Sequence, residues 1–178
     1  MKIENVIQGM LSECFFKGIA KHNGWDVKPS TANQNMRDHI DFFIIKDNET
    51  FTVDVKSIKK AQKDDQNLLT DWTWIEIINP IGRVGWAFGN VDMIAFEQPN
   101  DFVLIKLEDI QEILNTKVKS TKELEKMIKN GYIKQKGEWV SSPQMARYKF
   151  YCRQGKKEIL TMVEFKLIRE KAFMVWSK

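Results

Sequence analysis

A chain of 178 residues, 43% hydrophobic and 29% charged, can bury a proper core and reads as an ordinary globular protein, most simply one domain with an appendage. No apolar run approaches the roughly 20 residues that span a membrane and the N-terminus has no secretory pattern, so a cytoplasmic protein is expected. Cys14 and Cys152 make no disulfide framework, two histidines are too few for an ordinary zinc site, and a net charge of +4 keeps a polyanion among the partners.

That charge is unevenly spread. Residues 1–115 hold 12 Lys+Arg against 18 Asp+Glu, whereas residues 116–178 hold 16 against 6. The contrast suggests a core over 1–115 and a basic C-terminal extension over 116–178. Carboxylates in the first can collect cations, and lysines in the second can meet a polyanion.

In chain order, Ile3 to about Asn23 reads as a helix. Ile3, Val6, Ile7, Met10, Leu11 and Cys14 recur at three-and-four spacing, which predicts the buried face, and Gly24 stands where a C-cap glycine belongs. Glu13 lies at the border of that face. Trp25–Lys28 is a short strand, and residues 29–35 form a polar loop. Two strands follow, Ile40–Ile45 and Phe51–Ile58, rich in β-branched and aromatic residues and joined by a polar turn at Asp47-Asn48. A polar connection over 59–71 leads to a third strand, Trp72–Ile78, on which Trp72, Trp74, Glu76 and Ile78 share a face and the tryptophans are expected in the core. Gly82, Gly85 and Gly89 lack a strand-to-helix context and read as bends rather than a phosphate loop. Val91–Phe96 and Phe102–Leu107 form a hairpin, and Glu108–Leu114 a short helix.

In the basic third, Ser120 and Glu123 have capping-box spacing ahead of a short helix with Leu124, Met127 and Ile128 on one face and a stop at Asn130-Gly131. Trp139–Ser142 is a strand. Met145–Arg153 alternates, with Tyr148, Phe150 and Cys152 packed and Lys149, Tyr151 and Arg153 facing out. Ile159–Ile168 fits either strand or helix. Lys149, Tyr151 and Arg153 suit phosphate contact and base stacking, while Lys122, Lys126 and Lys129 add sequence-independent attraction to nucleic acid.

The chemistry concentrates on the first hairpin. Side chains alternate along a strand, so Phe51, Val53 and Val55 point one way and Thr52, Asp54 and Lys56 the other. Asp41 stands between Ile40 and Phe42, a setting that implies burial, and carboxylates are rarely buried unless paired or bound to metal. Asp41 and Asp54 on adjacent strands suit Mg²⁺ or Mn²⁺, since Mg²⁺ needs only one or two carboxylates and keeps several waters. Such a cation polarises a phosphate oxygen and lowers the pKa of a bound water. Lys56 shares the face of Asp54 and can position or deprotonate that water, or offset charge on the phosphate. Glu13 would add a ligand or an acceptor from the helix. His39 shares a strand face with Asp41, and Glu76 and Asp92 are further candidates if their strands neighbour the hairpin. Glu164-Phe165-Lys166 repeats the acid-x-lysine form, but no aspartate lies between Asp109 and the end of the chain, so it serves as an internal control. The alternative for Asp54 and Lys56 is a wet strand face with a weak salt bridge.

Glu13 on a helix, Asp41 on a strand and Asp54-Val55-Lys56 on the next strand resemble the PD-(D/E)XK nuclease superfamily, with spacing similar to compact Holliday-junction resolvases. The resemblance covers roughly residues 4–80 and departs from the namesake pattern where Ile40, not proline, precedes Asp41. It implies a restriction-endonuclease-like α/β fold, a mixed β-sheet core flanked by helices, here with a basic α+β C-terminal extension. It also implies a metal-dependent endonuclease acting on DNA ahead of RNA, with Glu13, Asp41, Asp54 and Lys56 catalytic and the backbone carbonyl of Val55 as an added metal ligand. Repair, recombination, restriction-type and phage or mobile-element nucleases all fit, and a branched DNA substrate would favour a homodimer. The alternative is a non-catalytic nucleic-acid-binding module of the same fold within a larger complex.

Overall fold

The computed structural model of the protein describes residues 3–59, 68–130 and 139–178. In chain order the elements are α1 (Ile3–His22), β1 (Asp26–Pro29), α2 (Ala32–Asp38), β2 (Phe42–Lys46), β3 (Glu49–Lys56), β4 (Trp72–Ile78), β5 (Met93–Glu97), β6 (Asp101–Lys106), α3 (Leu107–Lys117), α4 (Thr121–Asn130), β7 (Trp139–Val140), β8 (Phe150–Tyr151), β9 (Ile159–Glu164), α5 (Phe165–Glu170) and β10 (Met174–Ser177). The protein is α/β, with a mixed sheet and flanking helices. Packing divides it into two compact units that interleave along the sequence: residues 1–58, 90–107 and 171–178 form one, residues 59–89 and 108–170 the other. Residues 1–115 and 116–178, the division drawn from charge, therefore each contribute to both units. The first unit carries 10 Lys+Arg and 11 Asp+Glu, the second 18 and 13, so the basic excess lies in the second. The expected connection over 59–71 and the stop at Asn130-Gly131 fall partly outside the described residues.

The first unit is built on a six-stranded sheet in the order β1-β2-β3-β5-β6-β10. Every pairing is antiparallel except β3 with β5. A parallel pair needs a long crossover, and residues 59–89, which supply it, belong to the second unit. Val53, Val55, Met93, Ala95, Phe102 and Leu104 share a face on which Phe16 and Ala20 of α1 pack, with Trp25 and Trp176 closing the cluster. Ile94, Phe96, Val103 and Ile105 alternate with these residues and are also buried.

Helix α1 does not pack by its expected stripe. Val6, Ile7, Met10, Leu11 and Cys14 are exposed, and the opposite side, with Ser12, Phe16, Ile19 and Ala20, faces the sheet. The reason is specific bonding. Gln8 Nε2 donates to the Ile58 carbonyl at 2.8 Å, and the Ser12 hydroxyl donates to the Glu97 carboxylate. These bonds pin polar residues inward at the C-terminal ends of β3 and β5, and Phe16 follows them.

The expected loop over 29–35 contains most of α2. Thr31 accepts from the Gln34 backbone N–H at 3.3 Å while Gln34 Oε1 accepts from the Thr31 N–H at 2.9 Å, a capping box that satisfies otherwise orphaned donors. Thr31-x-x-Gln34 was the readable signal for it.

The second unit has a four-stranded sheet in the order β4-β9-β8-β7. Ile75, Ile77, Thr161 and Val163 are fully buried on one face, and α4 and α5 pack against β4. Residues 159–170, open between strand and helix, are both: β9 runs straight into α5. The Ser120–Glu123 capping box forms, with the Glu123 N–H 3.3 Å from Ser120 Oγ.

Candidate active site

Strand β3 outruns its partner. β2 begins at Phe42, opposite Val53, whereas β3 continues to Lys56 alongside β5. Just before β2 the Asp41 N–H donates to the Val53 carbonyl at 2.9 Å, one position out of the β2–β3 register, and the Asp41 and Asp54 carboxyls come within hydrogen-bonding reach of each other. Beyond that point the ladder is replaced by a side chain: Asp41 Oδ2 accepts the Val55 N–H at 2.7 Å. A strand residue aims its N–H and C=O to the same side, so the Val55 carbonyl lies on the Asp41 edge too.

Asp41 is held at its other oxygen by Asn35 of α2, whose Nδ2 donates to Oδ1 at 2.5 Å. Asn35 was not legible as a site residue because residues 29–35 read as a loop. Asp54 is 3% exposed, and Lys56 Nζ stands 2.6 Å from its Oδ2. Burial pushes the Asp41 carboxyl up to about 6; the Asp54 charge adds to the rise, and the Val55 N–H and Lys56 partly oppose it. The Glu13 carboxyl on α1 is also raised, by burial first and by Asp41 second, with Lys56 opposing. Glu13 therefore feels the charges of Asp41 and Lys56, and Asp41 those of Asp54 and Lys56.

The other candidates are placed differently. His39 is not on a strand: it is the left-handed C-cap of α2 at φ 59°, so the shared strand face that recommended it is absent. Glu76 sits on β4, which pairs with β9 rather than with the hairpin. Asp92 accepts from both the N–H and the hydroxyl of Thr52, each at 2.7 Å, and staples the start of β5 to β3. Lys122, Lys126 and Lys129 are exposed along α4, and Lys149 is exposed beside Tyr148. Tyr151 packs on Trp74 at 5.9 Å between ring centroids. Arg153 does not simply face solvent, since its guanidinium grips both oxygens of the fully buried Glu158.

The Glu164–Lys166 pair differs from the Asp54–Lys56 pair in exposure. Lys166 and Glu164 also form an ion pair, at 2.5 Å, but the Glu164 side chain is 29% exposed against 4% for Asp54. Lys166 holds the Glu164 carboxyl below its ordinary range, while Asp41 beside Asp54 is held above it. One pair is a solvated salt bridge; the other belongs to a crowded carboxylate cluster.

A divalent cation fits that cluster by its chemistry. Two carboxylates this close repel when both are ionised, and a hard cation relieves this using one or two carboxylates, a carbonyl and water. Among the described residues, no group of three or more His, Cys, Asp or Glu is gathered as a metal cage, so such a cation would rest on Asp41 and Asp54. Compared with protein-family models, with curated proteins and with solved structures, the chain matches none.

Proposed function

We propose that the protein is a metal-dependent nuclease that hydrolyses phosphodiester bonds, in DNA ahead of RNA, on a restriction-endonuclease-like first unit. The observation that carries this reading is the meeting of the Asp41 and Asp54 carboxyls where β2 ends, with Lys56 on Asp54 and the Asp41 carboxyl raised to about 6. Asp41 and Asp54 would hold Mg²⁺ or Mn²⁺, with the Val55 carbonyl on the same edge. When bound, the cation polarises a phosphate oxygen and acidifies a water. Asn35 and the Val55 N–H fix the orientation of Asp41. Lys56 brings a compact positive charge to where the phosphate must approach. Glu13, its carboxyl raised by burial, would add a ligand or an acceptor for the bound water from α1. A branched substrate would call for two copies of the chain.

The second reading is a binding module of the same fold within a larger complex. The Lys56–Asp54 ion pair favours it, because that contact neutralises one carboxylate without any cation. Labelled DNA and RNA, incubated with Mg²⁺, Mn²⁺ or chelator, separate the two. Cleavage that needs metal and disappears in Asp54→Ala with binding retained supports the nuclease. Tight binding without cleavage under either metal supports the module.

A further inference from the structure

The second unit presents an aromatic face that the active-site reading does not use. In the β4–β9 register Trp72 lies across from Glu164 and Trp74 across from Met162, and on the far side of β9 Tyr151 lies across from Leu160. Paired residues share a face, so these side chains project opposite to Ile75 and Val163, with the buried Met162 beneath the rings. Trp72 meets Tyr148 at 5.3 Å between centroids, and Trp74 meets Tyr151 at 5.9 Å. All four rings are only half-buried, although the sequence placed the tryptophans in the core. The Arg147 guanidinium lies 4.7 Å over the Trp72 ring. Tyr148 is held at φ 56°, a left-handed backbone that bulky residues avoid. In that conformation it still brings its ring onto Trp72.

The charge around this face selects the partner. Residues 139–170 hold seven Lys+Arg and three Asp+Glu, and β4 adds the acid Glu76 on the same face. Two of those acids are already matched, Glu158 by Arg153 and Glu164 by Lys166. Exposed Arg147 and Lys149 flank Tyr148. An aromatic surface edged with cations suits a ligand with flat faces joined by phosphates. We propose that the face formed by Trp72, Trp74, Tyr148 and Tyr151 is a stacking platform for unpaired bases of single-stranded nucleic acid, with Arg147 and Lys149 contacting its phosphates. Paired bases hide their faces in the duplex, so single strands are preferred. The inference takes its ligand class from the nucleic-acid reading above and nothing from the carboxylate cluster.

The test is fluorescence anisotropy with labelled DNA and RNA oligomers of about 16 nucleotides, single-stranded and duplex, in chelator. The full-length protein should bind single strands more tightly than duplex. Trp72→Ala and Trp74→Ala should each weaken single-strand binding by about 5- to 150-fold. Arg147→Lys, a surface change that keeps the charge and loses the planar stack, should also weaken it while leaving the salt dependence unchanged. Trp74→Phe keeps a ring and should retain most of the affinity, which covers the case in which Trp74→Ala does not fold. Wild-type affinity in folded Trp72→Ala and in Arg147→Lys would overturn the proposal. So would failure of the wild type to bind single strands, or a self-associated species dissociated by the tryptophan variants without nucleic-acid binding, which would assign the face to a protein partner. Loss of cleavage in every condition, with tryptophan-dependent binding intact, would sink the nuclease alone.

Discussion

The Asp41 and Asp54 carboxyls meet just past the end of the β2–β3 pairing, where Asp41 leaves the register and its N–H donates to the Val53 carbonyl. Asp54 is 3% exposed and Asp41 is half-buried, so neither is well screened by water. Burial raises the Asp41 carboxyl to about 6, the neighbouring Asp54 charge adds to the rise, and a proton or a cation at Asp41 relieves both.

Asp41→Asn should therefore stabilise the protein near neutral pH. The folded carboxyl is raised from 3.8 to about 6, so ionising it costs the fold roughly 3 kcal/mol above that value. Below about pH 4 both folded and unfolded chains carry the proton and the cost vanishes. Urea melts in chelator should show Asp41→Asn more stable by about 1–3 kcal/mol at neutral pH, with no gain near pH 4. Equal effects at both values would remove the electrostatic account.

Divalent cation should reverse that cost and raise the melting temperature of the wild type at neutral pH, less so below pH 6, where the proton competes. Asn35→Ala removes a donor that favours the ionised carboxylate. The pH midpoint of Mn²⁺ protection should move upward, by about one unit. A midpoint that does not move would leave Asn35 with no part in positioning Asp41.

Lys56→Met should lower metal-dependent cleavage by roughly a hundredfold or more while Mn²⁺ still protects against melting. Lys166→Met, in the solvated acid-x-lysine pair, should cut at the wild-type rate. Similar losses in both variants would mean that the lysines act only through net charge.

The inward face of α1 predicts a sharp contrast in stability. Ser12→Ala removes a hydroxyl from the Glu97 carboxylate, whose other oxygen is held by Lys178 Nζ at 2.7 Å, and should cost about 1–3 kcal/mol. Phe16→Ala, at a fully buried position, should cost about 3–5 kcal/mol. Leu11→Gln, at a position 53% exposed, should stay within about 0.5 kcal/mol. Denaturant midpoints that rank Leu11→Gln with Phe16→Ala would restore the stripe expected from periodicity.

Local pattern was enough wherever the backbone's own geometry decides. The alternation of Val53 and Val55 against Asp54 and Lys56, the β4 strand at Trp72–Ile78 and the α4 capping box were all legible because each depends on neighbours a few residues apart. The capping box of α2 was equally local and was passed over in a polar stretch. Tertiary structure alone decided the rest. Helix α1 is apolar around much of its circumference, so its bonds to Ile58 and Glu97 and the seat of Phe16 among Phe42, Phe102 and Trp176 choose which side packs. The parallel pairing of β3 with β5, the alliance of β4 with β9 and the grip of Arg153 on Glu158 are choices of partner. Periodicity sets the direction of a side chain but not what waits there, and the meeting of Asp41 with Asp54 depends on where β2 stops.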